Sequence, residues 1–524
     1  MNTLQLLVEK QSLTAEQCAA AIHAMLEDPI QMGAFLALLK SKGETVDEIL
    51  GLVRAMRAQM RPLQLDRPVL DIVGTGGDLA GTVNISTGSA LMAARCGVPV
   101  LKHGNRSVSS QCGSADVLEA MNYPIHQTPQ QIQASIQKTG FGFCFAPDYH
   151  PIMQKMSPIR NALKMPTVFN IIGPLLNPAG TEHLQIGVYK KELVPIIADV
   201  LFQLGTKRSI VYCGYNMDEL SCIGPTDALL VTDKGCSPLR IDPKQLGLPL
   251  CTRQDLLGGD AKYNAQLLKN PPEGLKNTLI LNAAVALFLY GLARSIEEGV
   301  QIAKRKNRPS LKNAIRARPK AVIAEIKRAS PSAGKIGTIL DPAKLAQRYE
   351  ISGAAAISVL TSDRFDGSLS DLEAVKKNVA IPVLRKDFLT KEEQLKESDA
   401  DVFLLIVAHL KERTKEMLSA VHAMGCEAIV EIHNESELQI AIDAGAEIIG
   451  VNQRNLTTFT MHPEVYALIE RIPKHIVKIA ESGVRSASDA TGMFAMGYDA
   501  ILVGEALTKN PTLCEELCSL KSAD

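Results

Sequence analysis

From Val46 onward the apolar residues fall at Ile49, Leu50, Val53, Met56 and Met60, the spacing of one helix face. Thr45 and Glu48 bracket the start of that helix as a capping box, and Thr14 with Gln17 mark an earlier one. Pro62 and Pro68 end this texture, and from Val69 short apolar runs are followed by glycine-rich turns, the mark of strand–loop–helix units. A helical subdomain over 1–65 and an α/β domain over 66–303 are therefore expected.

The last two hundred residues carry a repeat. Gly353-Ala-Ala-Ala-Ile, Gly425-Cys-Glu-Ala-Ile, Gly445-Ala-Glu-Ile-Ile and Gly497-Tyr-Asp-Ala-Ile each follow a helical stretch and lead into an apolar run. Glycine suits the left-handed position past a helix end, and the run after it suits a buried parallel strand. Such runs start near 321, 354, 381, 402, 427, 447, 476 and 499. Eight strands with helices between them predict a closed (β/α)8 barrel over 320–524; a doubly wound open sheet is the rival. Residues 304–319 read as a basic linker, since Lys304 to Lys320 holds eight Lys or Arg and no acid. That run lacks aromatics to stack on bases, so it reads as a linker or linking helix and not as a nucleic-acid site.

Composition narrows the class. A chain of 524 residues exceeds what one core supports, so two or three domains are expected. Lys plus Arg equals Asp plus Glu at 56 each, which argues against a dedicated nucleic-acid binder. The 11 cysteines are scattered without metal-ligand spacing, which points to reduced thiols and neither zinc nor disulfides. No basic-then-apolar leader and no membrane-length apolar run is evident, so a cytoplasmic protein without membrane partners is expected.

Polar residues at the strand ends favour the barrel over the open sheet. Side chains two apart on a strand share a face, so Glu325 and Lys327 point the same way. Lys386 ends the third strand, Glu431 the fifth, Asn452 the sixth and Glu481 the seventh. One stray charge at a solvated end is ordinary; five strands ending so are not, because burying these groups without a use is costly. Ser482-Gly483 after the seventh strand and Gly504 after the eighth sit where barrels hold phosphate on backbone N–H groups.

In the first half, Val69–Val73 reads as a strand, Gly74-Thr-Gly-Gly-Asp78 as its loop and Asn84-Ile-Ser-Thr87 as the start of a helix. That order suits an anion held on backbone N–H groups and a helix N-terminus. It is neither a P-loop nor the dinucleotide fingerprint, because the lysine and the glycine spacing differ. A second strand, Val98–Leu101, leads into Lys102-His-Gly-Asn-Arg-Ser-Val-Ser-Ser110, whose cations, amide and hydroxyls suit a phosphate-rich ligand. Asp218 and Glu219, adjacent carboxylates, read as Mg2+ ligands if a pyrophosphate lies nearby and as an ordinary turn pair otherwise.

The C-terminal half resembles indole-3-glycerol-phosphate synthase. The resemblance is carried by Ala324-Glu-Ile-Lys-Arg-Ala-Ser-Pro-Ser332, Ser358-Val-Leu-Thr361, Phe365-x-Gly-Ser368, Lys386-Asp-Phe388, Val430-Glu431, Val451-Asn-Gln-Arg454 and Glu481-Ser-Gly483. It implies decarboxylative ring closure of carboxyphenylamino-deoxyribulose 5-phosphate without a cofactor. Lys386 would be the general acid, Glu431 the base, and Lys327, held by Glu325, the carboxylate ligand and dehydration acid. Asn452, Arg454 and Glu481 would orient the substrate, Phe365 would line an aromatic pocket, and Ser330, Ser482, Gly483 and Gly504 would complete the binding site. The family commonly begins with a longer helical extension over the barrel mouth; here Ser310-Leu-Lys-Asn-Ala-Ile and a basic tail stand in its place.

The N-terminal half resembles anthranilate phosphoribosyltransferase, of the nucleoside phosphorylase/phosphoribosyltransferase type. The glycine loop, the Lys102 segment, Gly113-Ser-Ala-Asp-Val-Leu-Glu119, His150-Pro151, Arg160 and Phe169-Asn-Ile-Ile-Gly-Pro-Leu-Leu-Asn-Pro178 carry that likeness. It implies phosphoribosyl pyrophosphate held by Gly74, Gly77, Asp78, Thr82, Asn84, Ile85, Ser86, Thr87, Lys102, His103, Gly104, Asn105, Arg106, Ser107, Val108, Ser109, Ser110 and Ser114. Mg2+ would sit on Ser86, Asp218 and Glu219, and anthranilate on Gly74, Asn105 and Arg160. Lys164-Met-Pro-Thr167 stands where the family commonly has Gly-x-Arg-Thr, and the domain's last helix reads as shortened at the fusion. The enzyme rivals are a pyrimidine nucleoside phosphorylase for the first half and phosphoribosylanthranilate isomerase for the second; the non-enzyme rival is an active transferase with a degenerate barrel serving as scaffold. The resemblances together imply tryptophan biosynthesis, a homodimer through the N-terminal helices, and phosphoribosylanthranilate isomerase as a partner, because its step lies between the two reactions.

Overall fold

The computed structural model describes residues 2–78, 80–107, 112–330, 334–455, 458 and 460–520. The chain divides into two compact units, Met1–Asn307 and Arg308–Asp524.

The first unit opens with four helices, α1 (Thr3–Val8), α2 (Ala15–Met25), α3 (Pro29–Lys42) and α4 (Val46–Gln59). Both expected capping boxes are present, Thr14 with Gln17 and Thr45 with Glu48. Glu48 does more than cap. Fully buried, it accepts hydrogen bonds from the Leu13 and Thr45 amides at 2.9 Å and pairs with Lys42, tying α4 to the turn before α2. Gly51 allows the same approach, since a Cβ there would strike the Ala15 carbonyl.

A seven-stranded sheet follows, ordered β3-β2-β1-β4-β5-β6-β7. Strands β1 (Leu70–Gly74), β2 (Val100–Gly104), β3 (Phe141–Phe145), β4 (His183–Gly187) and β5 (Arg208–Tyr212) are parallel; β6 (Thr226–Thr232) and β7 (Gly235–Ile241) are antiparallel additions. The order reverses between β1 and β4, the place where open α/β sheets leave a crevice at the strand ends. The second strand starts later than the sequence suggests, so Lys102, His103 and Gly104 lie on β2 and not on the loop after it. Helix α5 (Ile85–Arg95) opens the first crossover and packs on the long buried helix α6 (Glu273–Tyr290).

The basic segment 304–319 has structure of its own. Helix α7 (Ile296–Lys306), of 11 residues, runs into it. Its Gly299 touches α6 so closely that a Cβ would strike the Ala284 carbonyl. Helix α8 (Leu311–Arg316) then begins the second unit. Ser310 Oγ and the Leu311 and Lys312 amides donate to the Glu427 carboxylate, at 2.6, 2.6 and 3.1 Å. Lys312 pairs with Glu447, and Arg316 donates to the His475 carbonyl. Those partners sit at or just before the N-terminal ends of three consecutive barrel strands. Leu311 and Ile315 join the barrel's inner core beside Ala321, Ile323 and Ile448. The piece expected as a remnant over the mouth therefore closes the opposite end, because two apolar side chains one turn apart fit the barrel's open base.

The barrel has eight parallel strands and closes on itself. They are β8 (Ala321–Ile326), β9 (Ala356–Leu360), β10 (Val383–Lys386), β11 (Val402–Ile406), β12 (Glu427–Ile432), β13 (Ile448–Asn452), β14 (Val477–Glu481) and β15 (Ala500–Val503). All eight follow the apolar runs read from the sequence. Among the described residues no helix is long and apolar enough to cross a membrane.

Candidate active sites

The crevice between β1 and β4 is crossed by the turn that carries Asp218. A Cβ at Gly74 would overlap Asp218 Oδ2, and one at Gly187 would overlap the Asp218 carbonyl. Both strands thus end in glycine so that the carboxylate turn can lie directly on them. The Gly76 amide, in a loop where Gly76 and Gly77 have φ of 69° and 85°, donates to Asp218 Oδ2 at 2.6 Å. The Asp218 amide in turn donates to Asp78 Oδ2 at 3.3 Å. Glu219 Oε1 faces the Ser86 amide at 3.4 Å, in the first turn of α5. Burial, with Asp78 alongside, pushes the Asp218 carboxyl up to about 7, and burial with Asp218 alongside pushes Glu219 well above the usual carboxylate range.

Lys102 projects from β2 into the same cluster. It is buried and donates to the Ile72 carbonyl at 2.7 Å and to Ser86 Oγ at 3.1 Å. Burial lowers its pKa, opposed by Asp71, Glu219 and Asp218. His103, on the other face of β2, is 3.2 Å from His150 between their Nε2 atoms, and burial keeps both imidazoles neutral, at about 3 and about 4. Under them Asp71 accepts from Asn177 Nδ2 at 2.8 Å and from the His103 amide. Asp71 is a residue the sequence reading passed over; its place in the first apolar run hid it.

The remaining expected residues fall around this centre. Asn84 precedes α5 but does not cap it; its side chain donates to the Cys112 carbonyl and accepts from Asn264. Ile85 is buried in the core, Thr87 Oγ1 is a buried hydroxyl with no hydrogen-bond partner among the described residues, and Thr82 bridges to Leu257. Asn105 Oδ1 accepts from the Arg106 amide, and its carbonyl accepts from Ser114 Oγ. Arg106 is drawn aside into ion pairs with Asp116 and Glu119. The Ser107 amide donates to Asp116, and Gly104 meets Ser114 Oγ so closely that only glycine fits. Val108, Ser109 and Ser110 lie outside the described residues. Arg160 stands on the helix Ile152–Leu163, its guanidinium 5.7 Å from the Phe169 ring centroid, with burial lowering its pKa. Lys164 ends that helix at φ 50°, and Thr167 is buried beyond it.

At the barrel's C-terminal mouth the strand-end charges converge. Lys386 Nζ lies 3.0 Å from Glu325 Oε2 and 3.6 Å from Glu481 Oε2, while Lys327 Nζ lies 3.9 Å from Glu325 Oε1. Glu325, Glu431 and Glu481 are all buried. Burial works against the Lys386 ammonium, but Glu325, Glu481 and Glu431 outweigh it and raise its pKa. Burial lowers the Lys327 pKa against the pull of Glu325. Glu325 is held below its ordinary value by the two lysines against burial, and Glu481 is pushed well above by burial and by Glu431.

Phe365 lies 5.4 Å beneath Lys327 and stacks on Phe388 at 6.1 Å, giving one aromatic wall. Asn452 Oδ1 accepts from Ser482 Oγ at 2.9 Å and from the Arg454 amide at 3.0 Å. Ser482 and Gly483 both have positive φ, 70° and 81°, and Tyr466 pins this turn by donating to the Glu481 and Ser482 carbonyls. Gly504 leaves room for Glu325, and Gly450, which the sequence reading did not single out, leaves room for Glu481. Ser330 ends the two-residue strand Ala329–Ser330 that follows β8. His433 was also missed: it lies 3.3 Å from Glu431, in the bend just past the end of β12.

Comparison with known proteins decides the family. Residues 66–307 match the "Glycosyl transferase family, a/b domain" model, residues 2–60 its helical bundle domain, and residues 291–520 the model "Indole-3-glycerol phosphate synthase". The anthranilate phosphoribosyltransferase of Chlamydia felis is 46% identical over 308 residues, covering 57% of this chain and 90% of that protein. That of Bacillus cereus is 42% identical, over 58% and 91%.

The chain belongs to the anthranilate phosphoribosyltransferase family, fused to an indole-3-glycerol phosphate synthase domain.

The crystal structure of the Thermus thermophilus transferase superposes with a TM-score of 0.55 at 36% identity, covering 58% of this chain and 94% of that one. The Saccharomyces cerevisiae transferase, solved in complex with PRPP and Mg, gives 0.53 at 26% identity, over 58% and 92%. The fusion serves tryptophan biosynthesis with a glycosyltransferase and a synthase in one chain. The two family matches overlap over 291–307, which contains α7. That helix packs as the transferase's own last helix, its Val300 and Ala303 buried in the transferase core.

Proposed function

We propose that the first unit transfers the phosphoribosyl group of phosphoribosyl pyrophosphate to the anthranilate amine. The second unit closes the indole ring of carboxyphenylamino-deoxyribulose 5-phosphate with loss of CO2 and water. The observation that carries the second assignment is the meeting of Lys386, Lys327, Glu325, Glu431 and Glu481 at one mouth.

In the transferase, Gly74, Gly77, Asp78, Thr82, Asn84, Ile85, Ser86 and Thr87 from the β1 loop and α5 hold the pyrophosphate and ribose. Lys102, the segment from His103 to Ser110, and Ser114 complete the cradle. The Thr87 hydroxyl supports this reading as a buried donor with no partner among the described residues. Ser86, Asp218 and Glu219 are the residues that would hold Mg2+, as the ligands of the yeast relative suggest. The donors fit: two buried, mutually repelling carboxylates beside Asp78 gain from a divalent cation. Among the described residues no group of three His, Cys, Asp or Glu side chains has metal-binding spacing, so Ser86 and pyrophosphate oxygens would complete the shell. When bound, the ion neutralises charge on the departing pyrophosphate. Arg160, with Asn105 and Gly74, receives the anthranilate carboxylate, and the aromatic amine attacks with its own lone pair. Catalysis rests on positioning and charge neutralisation.

In the barrel, Lys386 stays protonated among its carboxylates and gives a proton to the substrate carbonyl as the ring closes. Glu431, ionised, removes the later proton. Lys327 binds the substrate carboxylate, and its depressed pKa suits it to act as the acid in dehydration. Phe365 stacks on the aromatic ring, Asn452, Arg454 and Glu481 orient the substrate, and Ser330, Ser482, Gly483 and Gly504 bind its phosphate end. A homodimer through the N-terminal helices and phosphoribosylanthranilate isomerase as partner are part of the proposal. Val8 on α1 and Ile30 on α3, 66% and 85% exposed, support the dimer.

The test assays the purified full chain for each reaction separately. Lys386→Ala is expected to lower indole-3-glycerol phosphate formation by about 10²–10⁴ and to leave phosphoribosyl transfer intact. A wild-type chain that transfers phosphoribosyl but forms no indole-3-glycerol phosphate would make the barrel a scaffold.

A further inference from the structure

His433 stands between two carboxylates. Its Nε2 is 3.3 Å from Glu431 Oε1 and its Nδ1 is 3.1 Å from Glu437 Oε2. The Glu437 carboxylate is held in place by the His433 amide at 2.8 Å and by Asn434 Nδ2 at 2.8 Å. Strand and helix together build this clamp. Glu431 lies at the end of β12, His433 in the bend just past it, and Glu437 in the first turn of the helix Glu435–Asp443 that follows. The Nδ1 contact is a hydrogen bond, whereas Nε2 meets Glu431 as a charge contact without hydrogen-bond alignment; a neutral imidazole has one N–H, and only the protonated ring is attracted to both carboxylates.

Charge balance at the mouth gives the clamp a purpose. Glu325, Glu431 and Glu481 are buried together with two ammonium groups, Lys327 and Lys386. Glu437 makes four carboxylates, so with a third cation beside the two ammonium groups one carboxylate still keeps a proton. We propose that His433 is that third cation and a positioning residue for the barrel reaction: held as imidazolium by Glu437, it keeps Glu431 ionised and leaves the shared proton on Glu481. The proposal deepens the assignment of Glu431 as the base and rests on it.

The surroundings agree in direction. The His433 imidazole is raised to about 10, burial opposing and Glu431 and Glu437 overcoming it. Glu431 is held below its ordinary value by His433 and Lys386 against burial, while Glu481 is raised. The neighbouring segment Val407–Leu410 and the turn after it bring His409, Lys411, Glu412 and Arg413. Of these, His409 lies on the Phe388 ring and Arg413 pairs with Glu416.

The experiment has two readouts on the full chain. In the first, histidine-selective 13C NMR follows the ten histidines from pH 5 to 10, and His433→Gln identifies the resonance. That resonance should remain in the imidazolium form at pH 8.5 in the wild type and titrate at least one unit lower in Glu437→Gln. Titration near pH 6.5 in the wild type overturns the proposal, whether or not the barrel turns over. In the second, kcat and KM for ring closure are measured across pH. His433→Gln should lower kcat at pH 6.5 at least tenfold, with KM within about threefold, and move the acid limb to higher pH. Glu437→Gln should move the limb the same way by less. An acid limb unchanged in both variants overturns the proposal; inactivity of the wild type bears only on the assignment of Glu431, and the NMR arm then decides.

Discussion

Lys386 Nζ and Glu325 Oε2 are 3.0 Å apart across two strands that do not pair with each other, β10 and β8, which both flank β9. The contact sets the protonation of the proposed general acid. Glu325→Gln removes the nearest anion, so the Lys386 pKa falls. The alkaline limb of kcat for ring closure is therefore expected at lower pH in Glu325→Gln. Lys386→Ala should cost about 10²–10⁴ in kcat, the usual worth of a general acid.

The Asp218 and Glu219 carboxyls are raised in the folded protein, so folding is favoured where they are protonated. Stability that is present below their ordinary pKa is lost as pH rises through about 7. Without Mg2+, the melting temperature of the first unit should fall between pH 6 and 8, and Mg2+ should restore it. Asp218→Asn should flatten that pH dependence and abolish the Mg2+ effect, measured by calorimetry of the full chain.

Gly450→Ala places a methyl group on Glu481, and Gly504→Ala places one on Glu325. Each is expected to lower kcat for ring closure at least tenfold while phosphoribosyl transfer is unchanged, since the crowded groups belong to the barrel alone. Assay of both reactions on each variant checks this.

Glu427 accepts two backbone amides and a hydroxyl at the start of α8. Glu427→Ala leaves those donors facing the barrel base and should destabilise the second unit by about 1–3 kcal/mol, the range for lost charge-assisted hydrogen bonds. Urea unfolding followed by the loss of ring-closure activity measures it; activity before unfolding should be near wild type.

Arg160→Lys keeps the charge and loses the planar fork. The KM for anthranilate should rise at least tenfold, with a smaller change for phosphoribosyl pyrophosphate, read from initial rates.

Much was legible before any coordinates. The capping boxes at Thr14 and Thr45 and the eight apolar runs of the barrel are local signals, set by neighbours within a few residues, and each stands where it was read. The strand-end residues from Glu325 to Glu481 were also legible, because an unpaired buried charge after an apolar run needs a reason. What only the tertiary structure decided depends on which distant segments touch. Gly187 and Gly450 carry no signal in the sequence until the Asp218 carbonyl lies against one and the Glu481 carboxylate against the other, and nothing local shows that Gly74 and Gly504 also make room for Asp218 and Glu325. Asp71 looked like part of a hydrophobic strand until Asn177 reached it. The start of α8 looked like the end of a linker until Glu427 capped it at the barrel's base. Periodicity and caps act through the adjacent backbone and are written in the sequence; burial, charge pairing and close approach depend on closure of the sheet and barrel, which bring together residues far apart along the chain.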